Sequence, residues 1–356
     1  MDVLVSLLFL VLGVLLILVS LASAFRTVVL PRAAFDPLTR AIFLSFRSML
    51  LWLSRLSSRF FDRETVLSVH APLGLLTLAV TWAIGIMIGF TLIFRATGPL
   101  SLGDSFVLAG SSFTTLGFYP PETMLHDILA IVAAVLGLGV VALLISYLPT
   151  IYGLYSRREV VVADIAIKSG GVAHGPDLVR NLSRRSDTLR LDDMWVDWGH
   201  WFIAMGETHT SEPALNFFRS PRTRRSWLTA ATAVLDAAAL RNLVIDADYS
   251  VRADMTHRAG VEAMVSIAHF FWVRPDGEDA RFSVLTREDF DEAIDELRAA
   301  DIPLIDDMDT AWEEFHRQRK RYEPHILGLA RLILPPPAPW ASDLLKRPLP
   351  SDIESP

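Results

Sequence analysis

The chain of 356 residues contains no cysteine. That excludes disulfides, thiolate metal sites and cysteine nucleophiles, and leaves the redox compartment unread. The half of the chain after the apolar runs also lacks a Gly-x-Gly-x-x-Gly unit, the fingerprint of the nucleotide-binding domains that gate many bacterial channels. Basic residues are outnumbered, 33 Lys and Arg against 40 Asp and Glu, so the chain has no electrostatic footprint for nucleic acid. No apolar run carries a series of arginines, which excludes a voltage sensor. Neither a nucleophile–base constellation nor a phosphate loop is present, so an enzymatic function is not expected. No internal repeat is visible.

Long apolar runs are abundant, and they sit in the first 155 residues. A membrane-spanning helix needs about 20 apolar residues at about 1.5 Å each. Val3 to Ala24, Pro72 to Phe94 and Ile128 to Ile151 reach that length. The first run ends in Ala22-Ser23-Ala24, the pattern of a signal-peptide cleavage site. Nothing basic precedes it, however, while Arg26, Arg32, Arg40, Arg47, Arg55, Arg59 and Arg63 follow it. By the positive-inside rule the segment after the run is cytoplasmic. The first run is therefore expected to be an uncleaved anchor with its N-terminus outside. The second run then leads outward, the third returns inward to Arg157 and Arg158, and the rest of the chain is cytoplasmic.

Between the first two runs, Phe35 to Phe61 has apolar residues at helical spacing with Arg40, Arg47, Arg55 and Arg59 interleaved. This predicts an amphipathic helix on the inner leaflet with arginine heads among lipid phosphates. Packing on the cytoplasmic domain is the alternative.

Between the second and third runs lies DSFVLAGSSFTTLGFYPPE, residues 104–122. Ser101 or Asp104 can cap a short helix ending near Phe113. Its negative end then faces Thr114, Thr115, Leu116, Gly117, Phe118 and Tyr119. Extended backbone at membrane depth survives only where it lines a watery path or is buried in protein. Gly117 permits a positive φ that turns carbonyls toward one axis. Span, short helix, Thr-Thr-x-Gly-aromatic and span together form the arrangement in which loop carbonyls replace an ion's hydration shell.

Thr114-Thr115-Leu116-Gly117-Phe118 resembles the filter of two-transmembrane potassium channels, Thr-Thr-Val-Gly-Tyr-Gly, over about residues 70–157. It is also similar to the pore loops of Trk/Ktr transporters, which carry four such units in one chain where this chain has one. Phe217-Phe218-Arg219-Ser220-Pro221 resembles a stretch of an uncharacterised group of bacterial channel-like proteins. The resemblance implies a homotetramer, potassium as permeant ion with sodium admitted, no cofactor, and a gate on the third run. Gly137 and Gly139 stand at the hinge position, Pro149 can bend the inner end, and Leu144 and Leu148 are candidate constriction residues. Tyr119 replaces the last filter glycine and is followed by Pro120 and Pro121. A left-handed non-glycine residue costs about 1–2 kcal/mol, so the outer sites are expected to be remodelled and potassium selectivity weakened.

The fold class expected is an all-α membrane protein. An N-terminal transmembrane anchor covers 1–25 and an interfacial amphipathic helix 26–69. A pore module with a re-entrant loop covers 70–157, a cytoplasmic helical bundle 158–334, and a proline-rich, extended or disordered tail 335–356. Within the bundle, Glu159 to Ile167 alternates weakly and is β-branched, which predicts an extended segment. Helices are expected near 176–185, 188–208, 212–219, 224–245, 254–273, 287–300 and 309–333. Trp195, Trp198 and Phe202 read as core before they read as a ligand site. His200, Glu207, His209 and Glu212 fit no metal-binding spacing and read as solvated surface. Asp306, Asp307 and Asp309 lack a calcium loop's glycine and closing glutamate. Arg219, Arg222, Arg224 and Arg225 either cap helices, the favoured reading, or touch anionic lipid. The regulatory ligand of this half cannot be named from its residues. The functional alternative to a channel is a membrane-anchored interaction protein with a non-conducting loop.

Overall fold

The computed structural model describes residues 3–28, 38, 41, 42, 45, 49, 70–183, 188–273 and 284–343. The amphipathic segment with Arg40, Arg47, Arg55 and Arg59 lies outside the described residues, apart from a few isolated positions. The regular elements among the described residues are all helical, and their single β contact is an isolated bridge between Ile245 and Leu304. The chain divides into two units, Met1–Gly153 and Leu154–Pro356.

In the first unit, α1 (Val3–Val28), α2 (His70–Thr97) and the first part of α4 (Met124–Ser169) carry the apolar runs, and α3 (Leu102–Phe113) is the short helix between the second and third. α1, α2 and α4 are long and apolar enough to cross a membrane. α1 lies antiparallel on α2: Gly13 meets Gly89, Ser20 meets Gly85, and Trp82 Nε1 donates to Ser23 Oγ at 2.9 Å. A Cβ on Gly13 would lie 2.6 Å from the Gly89 carbonyl oxygen. The two backbones touch, as small residues allow where lipid supplies no hydrophobic drive between helices. α1 is thus packed along α2, with Ser23 and Ala24 of the cleavage-like tripeptide buried. The N-terminal end of α1 and the Thr97 end of α2 lie at the same end of this pair.

α4 is one helix of 46 residues, and it overturns the extended segment expected at Glu159 to Ile167. β-branching there favours a strand by only tenths of a kcal/mol per residue. The residues that bury are Arg158, Val162, Ile165, Ala166 and Ser169, a helical spacing, and Lys168 pairs with Asp164 one turn back.

In the second unit the core centres on α7 (Trp227–Leu243), buried without interruption from Trp227 to Leu240. Alanines make up much of this helix, which lets neighbours approach it closely. Around it stand α5 (Gly175–Ser183), α6 (Thr188–Ser211), α8 (Val251–Phe270), α9 (Arg287–Ala299), α10 (Met308–Arg319) and α11 (Glu323–Ile333). Thr286 and Asp289 form the capping box at the start of α9. The helix expected over 309–333 is two, because Pro324 has no N–H to donate and starts a new helix in its first turn. A 3₁₀ turn, Pro213–Phe217, replaces the helix expected over 212–219.

The start of the proline-rich tail is non-helical and held against the bundle. Ala338, Trp340 and Ala341 are buried, and Ser342 Oγ donates to the Pro336 carbonyl at 2.5 Å. Arg319 explains the anchoring. Its buried guanidinium donates to Asp236, to Glu323 Oε2 at 2.6 Å and to the Trp340 carbonyl. Tyr322 Oη adds a 2.6 Å bond to Asp236 Oδ1. Burial pulls the Arg319 guanidinium down, but the charges of Asp236 and Glu323 outweigh it and hold it above its ordinary value. Residues 344–356 lie outside the described residues.

Candidate functional site

The loop after α3 is built from the helix outward. Ser101 Oγ accepts from Asp104 N at 3.1 Å and donates to the Asp104 carboxylate, and Asp104 also lies at the helix's positive end. At the other end the last-turn carbonyls are occupied. Gly110 O accepts from Thr114 N at 3.0 Å, and Ser112 O from Thr115 N at 3.0 Å. Ser111 O accepts twice, from Leu116 N at 3.0 Å and from Gly117 N at 3.2 Å. The buried Ser111 hydroxyl then accepts from Tyr119 N at 3.1 Å.

This gathering of donors fixes where the acceptors go. In a planar trans peptide the N–H and the preceding C=O point in opposite directions. The carbonyls of Thr115, Leu116 and Phe118 are therefore directed away from Ser111 and the end of α3. Thr115 at φ 60° and Gly117 at φ 67° are both left-handed. The left-handed non-glycine residue is Thr115, and Tyr119, expected to carry that strain, does not. Thr115 Oγ1 donates to the Thr114 carbonyl at 2.7 Å. Leu116 and Phe118 leave 69% and 64% of their surface exposed, whereas Tyr119 is half-buried against the apolar cluster of this unit.

α4 approaches the end of α3 at one point. His126, Ala133, Gly137, Val140, Tyr147 and Ile151 form its buried stripe at helical spacing. Gly137 faces Phe113, and a Cβ there would stand 2.0 Å from the Phe113 carbonyl oxygen. Gly139 meets nothing within 4 Å. The two candidate hinge glycines thus stand in different surroundings, one at a close helix crossing and one in open space. Leu144 packs on the apolar cluster and Leu148 is half-buried. α4 continues through Pro149 without a break.

Within the second unit, Arg158 near the start of its share of α4 is buried among backbone acceptors. Arg158 donates to the Leu215 carbonyl at 2.8 Å and the Phe218 carbonyl at 2.7 Å, and to Glu159 Oε1. His209 Nε2 lies 3.3 Å from the same guanidinium. Burial, with Arg158 beside it, pulls the His209 imidazole well below its ordinary value and keeps it neutral. His209 is thus core and not the solvated surface expected, and it stands apart from any metal cluster: among the described residues no group of three potential ligands forms.

Trp195, Trp198 and Phe202 are buried, as the core reading expects. Trp195 and Phe202 also line a groove of about 470 Å³ between α6 and α8, whose rim carries His200, Glu207 and Glu262. Asp307 caps α10 by accepting from Thr310 N at 3.0 Å, and Asp309 pairs with Arg287. Asp307 and Asp309 are therefore engaged at helix ends.

Sequence reasoning missed Arg158 and His209, which it read as a stop charge and a surface residue. The spacing of Arg158 with Val162 and Ile165 was the signal available. No protein-family model, characterised protein or solved structure matches the chain. The described residues form helices and connecting loops, and three of the helices are long and apolar enough to cross a membrane.

Proposed function

We propose that the chain is one subunit of a homotetrameric pore-loop cation channel of potassium type, with residues 114–119 as its filter and the second unit as its cytoplasmic regulatory domain. The observation that carries this reading is the double acceptance at Ser111. By collecting the N–H groups of Leu116 and Gly117, it turns the carbonyls of Thr115 and Leu116 away from the subunit's own helix. Carbonyls so directed can replace a cation's hydration shell. A single chain supplies one set, and an axis with four copies supplies a ring. The exposed Leu116 and Phe118 side chains would be covered by neighbouring subunits. The N-terminus lies outside and the second unit inside, because the arginines after α1 hold that segment in the cytoplasm. Tyr119, Pro120 and Pro121 at the mouth depart from a glycine-ended filter, and discrimination of potassium over sodium is weak.

Reconstitution of the full chain into vesicles, with reversal potentials in potassium and sodium gradients, tests this. Cation current with a small potassium preference is expected. Strong potassium selectivity would overturn the weak-filter argument. Absence of current from a verified tetramer would favour the membrane-anchored interaction protein.

A further inference from the structure

Four arginines in the second unit stand apart from the ion pairs that occupy its other charges. Arg222 and Arg224 are exposed and Arg225 half-buried in the loop before α7, and Arg157 is exposed on α4. Among the described residues none has a carboxylate within ion-pair distance. The chain carries no acidic residue between Glu212 and Asp236, so this loop is free of negative charge in a protein whose net charge is −7. Arg219 differs from its neighbours, since its guanidinium donates to the Leu334 carbonyl at the end of α11. The helix-capping expected of this basic run holds for Arg219 and leaves the other three arginines of the loop unused.

The loop is fastened at a particular level of α4. Tyr155 Oη donates to the Arg219 carbonyl at 3.0 Å, and Arg158 donates to the carbonyls of Leu215 and Phe218. Tyr155 lies four residues, about 6 Å along the helix, beyond Ile151, where the apolar run ends. A helix that crosses a membrane along that run enters the headgroup layer over this turn. The arginine loop is tied to the turn at which lipid phosphates would stand if α4 crosses a membrane along that run.

We propose that Arg157, Arg222, Arg224 and Arg225 form a docking surface for anionic lipid headgroups of the leaflet from which α4 emerges. Unpaired guanidinium groups suit this role because they bind phosphate in a planar, bidentate fashion. The proposal rests on α4 crossing the membrane and is independent of whether the loop at 114–119 conducts. Its test uses no flux measurement, so the two readings fail separately.

The full chain in a neutral detergent is titrated with dioctanoyl phosphatidylglycerol, with dioctanoyl phosphatidylcholine and with inorganic phosphate, following its thermal unfolding temperature. Phosphatidylglycerol is expected to stabilise at about tenfold lower concentration than phosphatidylcholine. Removing arginine charge should weaken that effect, so R222Q/R224Q loses most of the tenfold preference, while R222K/R224K, which keeps the charge but not the planar fork, retains part of it. Without lipid the double variant should unfold at the parent's temperature. If it fails to fold, R157Q reads the same surface, with part of the preference lost. Equal response to the two lipids, or unchanged response in R222Q/R224Q or in a substituted R157Q, overturns the proposal. An equal response to inorganic phosphate assigns the site to a free anion and overturns it as well.

Discussion

Gly137 of α4 stands so close to the carbonyl of Phe113 that a methyl group in its place would lie 2.0 Å from the oxygen. Such a contact cannot be relieved by a side-chain rotation, because the neighbour is backbone at the end of α3. Gly137→Ala must push the two helices apart, with the loss of 1–3 kcal/mol typical of overpacking, roughly. Gly139→Ala meets open space and is expected to be neutral or slightly stabilising, since alanine is the better helix former. Thermal unfolding of both variants in detergent checks this. Equal effects would mean that the glycines act alike, as hinges, rather than through the crossing.

Thr115 makes a separable prediction about the loop. Its φ of 60° is left-handed, so Thr115→Gly relieves about 1 kcal/mol of strain while giving up the bond from its hydroxyl to the Thr114 carbonyl. Tyr119→Gly removes packing from the apolar cluster and relieves no left-handed strain. Ser111→Ala removes the acceptor of the Tyr119 amide but keeps the carbonyl that holds Leu116 and Gly117. Amide hydrogen exchange in Ser111→Ala should quicken at Tyr119 and stay slow at Leu116 and Gly117. Faster exchange at all three would mean that the hydroxyl, and not the carbonyl, organises the loop.

How much of this was legible depends on where each residue's partner lies. The three apolar runs and the short capped helix follow from composition and local spacing, and they form as expected. Gly137 and Gly139 are the same residue two positions apart, and only the passage of α3 beside one of them separates their roles. Val160, Val161 and Val162 favour a strand locally, but burial of Arg158, Val162 and Ile165 on one face favours the helix. Leu215 and Phe218, the partners of Arg158, lie 57 and 60 residues away, so its burial is invisible to any local pattern. Trp340 reads as part of a tail because its anchor, Arg319, lies 21 residues back on α10.

Arg158 therefore carries a stability prediction. Replacing it with methionine keeps much of the side chain's volume but leaves the Leu215 and Phe218 carbonyls and the Glu159 carboxylate without their donor. Removing one partner from a buried charged network costs about 3–5 kcal/mol. Arg158→Lys restores the charge but not the forked geometry, and should recover only part of the loss. Denaturant unfolding of the full chain measures both. A loss below about 1 kcal/mol for Arg158→Met would place Arg158 among surface charges.

His257 sets the sign of one acid response. It is buried on α8, with its Nε2 without a partner and its ring 5.7 Å from that of Tyr322. Burial first, and then Arg321, pull its imidazole down from 6.5 to about 4, with Asp254 opposing and Arg258 assisting. Between those values the unfolded chain holds a proton that the folded chain refuses. Stability from this group is therefore full above about pH 6.5 and is lost as the pH falls toward 4, by roughly 3 kcal/mol in all. His209, held neutral by burial beside Arg158, acts in the same direction, while Asp236, raised by burial, acts in the opposite one. The difference between parent and His257→Gln isolates the one residue. The variant should lose less stability than the parent between pH 7 and pH 4.5, and parallel pH profiles would show that His257 takes up its proton equally in both states.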